Sequence, residues 1–251
     1  AISLLDACLV SGFNSKNVSS ITVTDNVATL TTAAAHGFVI GEIILIAGAN
    51  EAAFNTEFKV LSVPTTTTLT FALTTALSGA TGTMTVKFAP LGWEKAFSGT
   101  DKAAYRSQDV TGTRLYLRVD DSNAQYLAVT MYETMSGIDT GTGASTTLYW
   151  KKSSTSDATA RPWQLIGNST IFYWFSDWNA SYLLQPNGYV FGDFISAKSG
   201  DAYRCLLIGH TSNAPASAFS GNHFNLNRGS ANTAGQVMAR SFTQLGAAIA
   251  F

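Results

Sequence analysis

The stretch that most constrains the fold is Thr113–Asp120, TRLYLRVD, in which apolar and polar residues alternate. Leu115, Leu117 and Val119 fall on one side; Arg114, Tyr116, Arg118 and Asp120 fall on the other. A repeat of two is the signature of a strand with one buried face. The DDSN that follows is turn chemistry, because short polar side chains hydrogen-bond the backbone near them. Gln125–Tyr132 then alternates again, with Tyr126, Ala128, Thr130 and Tyr132 on one face. The two runs predict a β-hairpin, which we take as the founding hairpin of the larger of two domains. It sits at a seam in composition: the chain before Leu91 is rich in Thr, Ala and Val, and the chain after it is frequent in Trp and Tyr.

Upstream of the seam, Ile2–Val10 reads as a short helix or an edge strand, and Ser11–Asn17 as a loop. Residues 1–17 are therefore expected to form an N-terminal arm or strand. Ile21–Thr24 and Val27–Thr32 flank Asp25-Asn26, a tight hairpin signal. Glu42–Ala47 is apolar enough to predict a strand buried on both faces. Phe58–Val63 and Thr68–Leu73 bracket a Pro64–Thr67 turn, and Thr83–Phe88 closes the module. Some six short strands at spacings near ten residues predict a small barrel or sandwich over residues 18–88. Phe88–Gly92 is a short, Pro-containing connection, which favours a near-fixed relation between the domains.

Downstream, Lys102–Tyr105 is expected as a single helical turn and Gly137–Thr147 as a loop. Trp163–Gly167, Tyr189–Ile195 and Tyr203–His210 read as strands. Thr170–Asn179 is the most aromatic run. Its alternation puts Ile171, Tyr173 and Phe175 on one face and Phe172, Trp174 and Ser176 on the other, so both faces should be covered. The main domain is thus residues 89–210. Residues 211–251 turn to Ser, Asn, Gly and Ala and are expected as an extended arm, with Gln236–Phe251 a last strand pair or part of that arm. The fold class expected is all-β: a small barrel or sandwich, then a larger antiparallel β-sandwich with terminal arms.

Composition excludes several functions. Of 251 residues only 12% are charged, with a net charge of −1, against ~25% in ordinary proteins. No basic stripe exists for nucleic acid, and no apolar run reaches the ~18 residues of a membrane span. Cys8 and Cys205 lack CxxC partners, and two buried free thiols are expected. His36, His210 and His223 stand apart in sequence, so neither metal nor cofactor is expected. His36 is expected to satisfy backbone groups in the turn before Gly37. Glu94 and Asp101 have basic neighbours and read as a salt-bridged turn rather than a catalytic pair. GTG at 141–143 lacks a phosphate-loop frame, the scattered Asp residues lack calcium spacing, and no GxSxG supports a hydrolase. No enzymatic activity is expected.

The segments AHGFVIGEIILIAGA and FNTEFKVLSVPTTTTLTF, with their His, Gly and Val-Pro positions in order, resemble a β-module that recurs in tailed-bacteriophage virion proteins. LLDACLVSGFNSK, GWEKAFSGTDKAAYRS and MSGIDTGTG are similar to parts of a phage structural-protein family. The resemblance implies a non-enzymatic assembly role, as a capsid decoration or minor capsid protein or as a tail or baseplate component. Synthesis in the host cytoplasm without a signal peptide and a final place in the virion would follow. A charge-poor surface favours a homo-oligomer with other virion proteins as neighbours. Phe172, Trp174, Trp178, Phe219, Phe224, Leu226, Phe242 and Leu245 are the expected contact residues. The alternative is an adhesin that binds a host-surface glycan through the aromatic strand 171–178.

Overall fold

The computed structural model describes residues 1–153, 155–157, 159–176, 187–195 and 201–211, together with the backbone of 234–238 and 249–250; of Asn187 it also describes the backbone alone. The chain divides into two units, Asp6–Pro90 and Ala1–Leu5 with Leu91–Phe251. Both are antiparallel β.

The first unit is a closed barrel. Its strands are β1 (Phe13–Thr24), β2 (Val27–Thr32), β3 (Ile43–Ala49), β4 (Glu57–Thr65), β5 (Thr68–Ala72), β6 (Gly79–Ala80) and β7 (Gly82–Phe88). They pair in the order β2-β5-β4-β3-β7-β1, and β1 pairs in turn with β2, so six strands form a ring with β6 attached to β1. The β1–β2 turn falls on Asp25 and Asn26, both at positive φ (50° and 61°), the twist that a two-residue hairpin requires. Alternate residues point inward, among them Ala28 and Leu30 of β2, Ile44 and Ile46 of β3, and Leu69 and Phe71 of β5. The expectation that β3 is buried on both faces is corrected: Ile43 is exposed. A barrel wall has one interior, so a continuous apolar run must leave half its side chains outside. Residues 13–17, at the end of the expected arm, are already β1.

The second unit is one curled sheet. It begins with a helical turn, α1 (Ile2–Leu5). A meander follows: β8 (Trp93–Gly99), β9 (Lys102–Ser107), β10 (Tyr116–Asp120) and β11 (Tyr126–Tyr132). A small hairpin, β12 (Thr134–Gly137) and β13 (Thr140–Thr142), leads to β14 (Leu148–Lys151) beside β11. The chain then runs to the far edge and meanders back through β15 (Trp163–Gly167), β16 (Ile171–Ser176), β17 (Asn187–Asp193) and β18 (Cys205–His210), which rejoins β14 at Tyr149–His210. β19 (Ala234–Met238) pairs with β18, and β20 (Ile249–Ala250) with β19. That part of the expected arm is therefore a strand pair of the same sheet; the rest of 212–251 lies outside the described residues.

Two expectations are corrected here. Lys102–Tyr105 is strand, not a helical turn: Asp101 at φ 53° closes a β8–β9 hairpin, and Ala103, Ala104 and Tyr105 are all buried between sheet neighbours. Residues 134–142 are a hairpin rather than a loop, joined by a Thr134–Thr142 hydroxyl bond of 2.6 Å.

The two ends of the sheet meet. The Trp93 ring lies 5.3 Å from Phe172 and 5.7 Å from Phe191. Trp93 Nε1 donates to the Asn168 carbonyl at 2.9 Å, and Ser107 Oγ to the Ser169 carbonyl at 2.5 Å. Asp193 accepts from Thr113 N and Oγ1 at 2.6 and 2.5 Å. Between these leaves Trp150 packs on Tyr189 (5.6 Å), Trp174 (5.7 Å) and Phe172 (6.0 Å). Aromatic pairs at such spacings add about 0.5–1.5 kcal/mol each beyond area burial.

Candidate functional site

Of the sequence-predicted contact residues, the structure describes Phe172 and Trp174. Phe172 and Trp174, expected as contact residues, are 0% and 2% exposed. They are core, because β16 turns its Phe172, Trp174 and Ser176 face inward under Trp150. The same burial removes that face as a glycan platform. Ile171, Tyr173 and Phe175 are half-buried on the outer face. Trp178, Phe219, Phe224, Leu226, Phe242 and Leu245 lie outside the described residues, as does His223.

His36 is buried in the barrel and its Nδ1 accepts the Phe38 N–H at 2.9 Å. His210 is buried at the end of β18, edge-on to Tyr189. Cys8 and Cys205 are buried free thiols. Burial raises the Cys8 thiol to about 11. Burial, and secondarily Asp193, raises that of Cys205. Glu94 takes Arg106 Nε at 2.6 Å and Arg114 Nη2 at 3.3 Å. Among the described residues no three His, Cys, Asp or Glu side chains gather as metal ligands. No described helix is long and apolar enough to cross a membrane.

A cleft of about 320 Å³ opens in the second unit where the 152–162 loop meets the start of β15 and the end of β16, near the lower bound for ligand pockets. The register that sets Trp163 opposite Ser176 and Leu165 opposite Trp174 turns these four residues to one face of the sheet. Trp163, at the sheet edge, is 41% exposed. The loop is organised by Arg161. Its Nη2 reaches both Asp157 oxygens at 3.0 and 3.1 Å and Ser153 Oγ at 3.1 Å, and its Nη1 reaches the Thr159 carbonyl at 3.1 Å. Asp157 also accepts from Thr155 Oγ1 at 2.5 Å and Thr159 N at 3.0 Å. The Thr155 and Thr159 hydrogen bonds, with Arg161 behind them, hold its carboxyl below the usual carboxylate range.

On the other wall, Lys152 Nζ donates to Asp121, which also accepts from the nitrogens of Ala1 and Ile2 at 2.6 and 3.1 Å. Burial alone would raise Asp121; the hydrogen bonds from Lys152, Ala1 and Ile2 outweigh it and leave the carboxyl lowered. Two N–H groups in the lining, Arg161 Nε and Trp174 Nε1, are buried with no acceptor among the described residues. Among the described lining residues, Asp157 is the carboxylate, and it is bound to Arg161.

Asp157, Arg161 and Trp163 are not singled out by the sequence analysis. The signal available was an Asp and an Arg four residues apart, within a Ser/Thr loop that ends in Pro-Trp.

An all-β protein of two units, with a cleft lined in part by a partly exposed tryptophan, is what the fold and site define. No family model matches the sequence, and no curated protein matches it. Among solved structures it is similar to the phage phi92 endosialidase, with a TM-score of 0.26 and 13% identity, over 78% of this chain and 46% of that one. The chain thus spans about half the length of that protein.

Proposed function

We propose that this chain is a non-enzymatic structural subunit of a tailed-bacteriophage virion, on the head as a decoration or minor capsid protein or in the tail or baseplate. It assembles with copies of itself and with other virion proteins. The observation that carries the reading is an outward apolar group on the barrel: Val39, Ile40, Ile43 and Leu61 are all exposed. They are neighbours, since Ile43 pairs with Lys59 and the Gly41 N–H donates to the Val60 carbonyl at 2.9 Å. In a chain with 12% charged residues, such a surface is suited to burial against another subunit. The segments resembling the virion module supply this same barrel, its HGF turn included.

The test is cryo-EM of virions with labelled subunit, beside light scattering of the purified chain. Density at a fixed virion position and an oligomer weakened by Ile40→Asp are expected. A monomer that is absent from virions overturns the proposal.

A further inference from the structure

We infer that the barrel binds a second copy of this chain, wall to wall, about a two-fold axis that runs along β3. The inference rests on the proposed assembly through the outer barrel face and adds the partner, the axis and the residues that meet.

An apolar stripe marks the surface. Ile44 and Ile46 of β3 point into the barrel, so Ile43, Leu45 and Ala47 point out. Ile43 and Ala47 are exposed and Leu45 is half-buried. Val39 and Ile40, in the turn that leads into β3, and Leu61 of β4 extend the stripe at its Ile43 end. These side chains lie outside the barrel and stay wet unless a neighbour covers them.

Charge across the stripe identifies the neighbour. Leu45 pairs with Glu57 of β4 on one side and with Lys87 of β7 on the other. Directly paired residues share a face of the sheet. One rung of the outer wall therefore reads negative, apolar, positive. Half a turn about β3 reverses that order and turns the rung to face the original. Leu45 of one copy then meets Leu45 of the other, and each Glu57 meets a Lys87. A pattern that is its own complement under a two-fold suits an isologous interface. A two-fold set across the strands at the same rung would instead put Glu57 on Glu57 and Lys87 on Lys87. Lys87 Nζ already donates to the Ser11 carbonyl at 2.6 Å, and an ammonium has three hydrogens to give.

The next rung agrees. Ile43 pairs with Lys59, and on its other side the Ala89 N–H donates to the Ile43 carbonyl at 3.0 Å. The same half turn sets Ile43 on Ile43 and Lys59 over Ala89, so no like charges meet there either. Shape favours the arrangement as well. Two convex walls touch along a line, where the apolar side chains of β3 meet. The flanking strands, about 4.8 Å to either side, fall away from the contact. Long side chains such as Glu57 and Lys87 can bridge that widening gap.

The experiment uses the full chain and follows its self-association by light scattering and sedimentation velocity. Glu57→Lys and Lys87→Glu should each weaken association about tenfold, because each sets like charges against one another twice in the dimer. The two together should restore it to within about threefold of the parent. An unchanged circular dichroism melt for Glu57→Lys, a change at an exposed position, shows that contact rather than fold was lost. Leu45→Cys should cross-link two copies under mild oxidation, since the axis passes through that rung, and Lys59→Cys should not. Cys8 and Cys205 are buried and take no part. Single reversals without effect, a double reversal weaker than either single one, or a dimer that Leu45→Cys fails to cross-link would each overturn the two-fold. An oligomer that Ile40→Asp weakens but the charge reversals leave unmoved overturns the two-fold alone and leaves the assembly proposal standing. A monomer that still occupies a fixed virion position does the same.

Discussion

Lys151 shows how the core of the second unit limits its own chemistry. The residue ends β14 and is buried. Its N–H donates to the Tyr189 hydroxyl at 2.6 Å, and its carbonyl accepts from Ser176 Oγ at 2.6 Å. Burial pushes the ammonium down to about 8 from an ordinary 10.5. The folded state then binds fewer protons than the unfolded state between those values, so this group makes stability rise with pH across that window. Below about pH 8 the charged form weakens the fold by up to roughly 3 kcal/mol. Lys151→Met keeps the volume and removes the charge. It should stabilise the chain by that order at neutral pH, with the gain shrinking as pH rises from about 8 to 10.5. Urea unfolding at several pH values checks this; a gain that does not vary with pH sinks it.

At the scale of elements, the barrel depends on how β3 meets β7. Their register slips between Ala47 and Ala49. Gly48 lies there at φ 84°, and a Cβ on it would sit 2.2 Å from the Thr83 carbonyl oxygen. Gly48→Ala meets both a left-handed backbone penalty and a backbone clash, and should cost about 2–4 kcal/mol. Hydrogen exchange in β3 and β7 is the direct measurement; unchanged protection there refutes the clash.

Most strands were legible because their patterns are local. The Asp25-Asn26 turn, the β10–β11 alternation and the β4–β5 hairpin each join segments that are consecutive in the chain. Lys102–Tyr105 was misread because a Lys-Ala-Ala-Tyr run suits either a helix or a doubly buried strand, and only its neighbours β8 and β10 decide. The faces of β16 were assigned to the right sets of residues. Which face goes inside depends on Trp150, some twenty residues away, and no periodicity carries that. The cleft was not legible for a similar reason: Trp163 and Ser176 come together through the β15–β16 register rather than through sequence spacing.

At the scale of the whole molecule, the division after Leu5 and at Pro90 gives the barrel its own core of Leu30, Ile44, Phe54, Leu69, Phe71 and Val86. A unit with a closed ring and a private core meets the conditions for folding alone. Residues 6–90 produced separately should show one cooperative thermal transition, and a featureless melt counts against it. Among the described residues, β15 and β8 are the terminal strands of the second unit's sheet. The ring of the first unit leaves none of its six strands as an edge for strand addition by a neighbour.

The barrel's entrance and exit are side by side, Phe13 pairing with Phe88 and their rings stacked at 4.6 Å. Tension carried along the backbone would bear on that pair from one end, like the slider of a zip. Only two further pairs, Lys16–Val86 and Asn17–Thr85, back it within β1–β7. Antiparallel partners pulled apart from a shared end yield one rung at a time rather than all together. Once opened, residues 13–88 release about 250 Å of slack at full extension. Held between handles at Asp6 and Pro90 in an optical trap, the chain should lengthen by about that amount in a low-force step. The barrel would then act as a shock absorber in any assembly that is stretched along this chain.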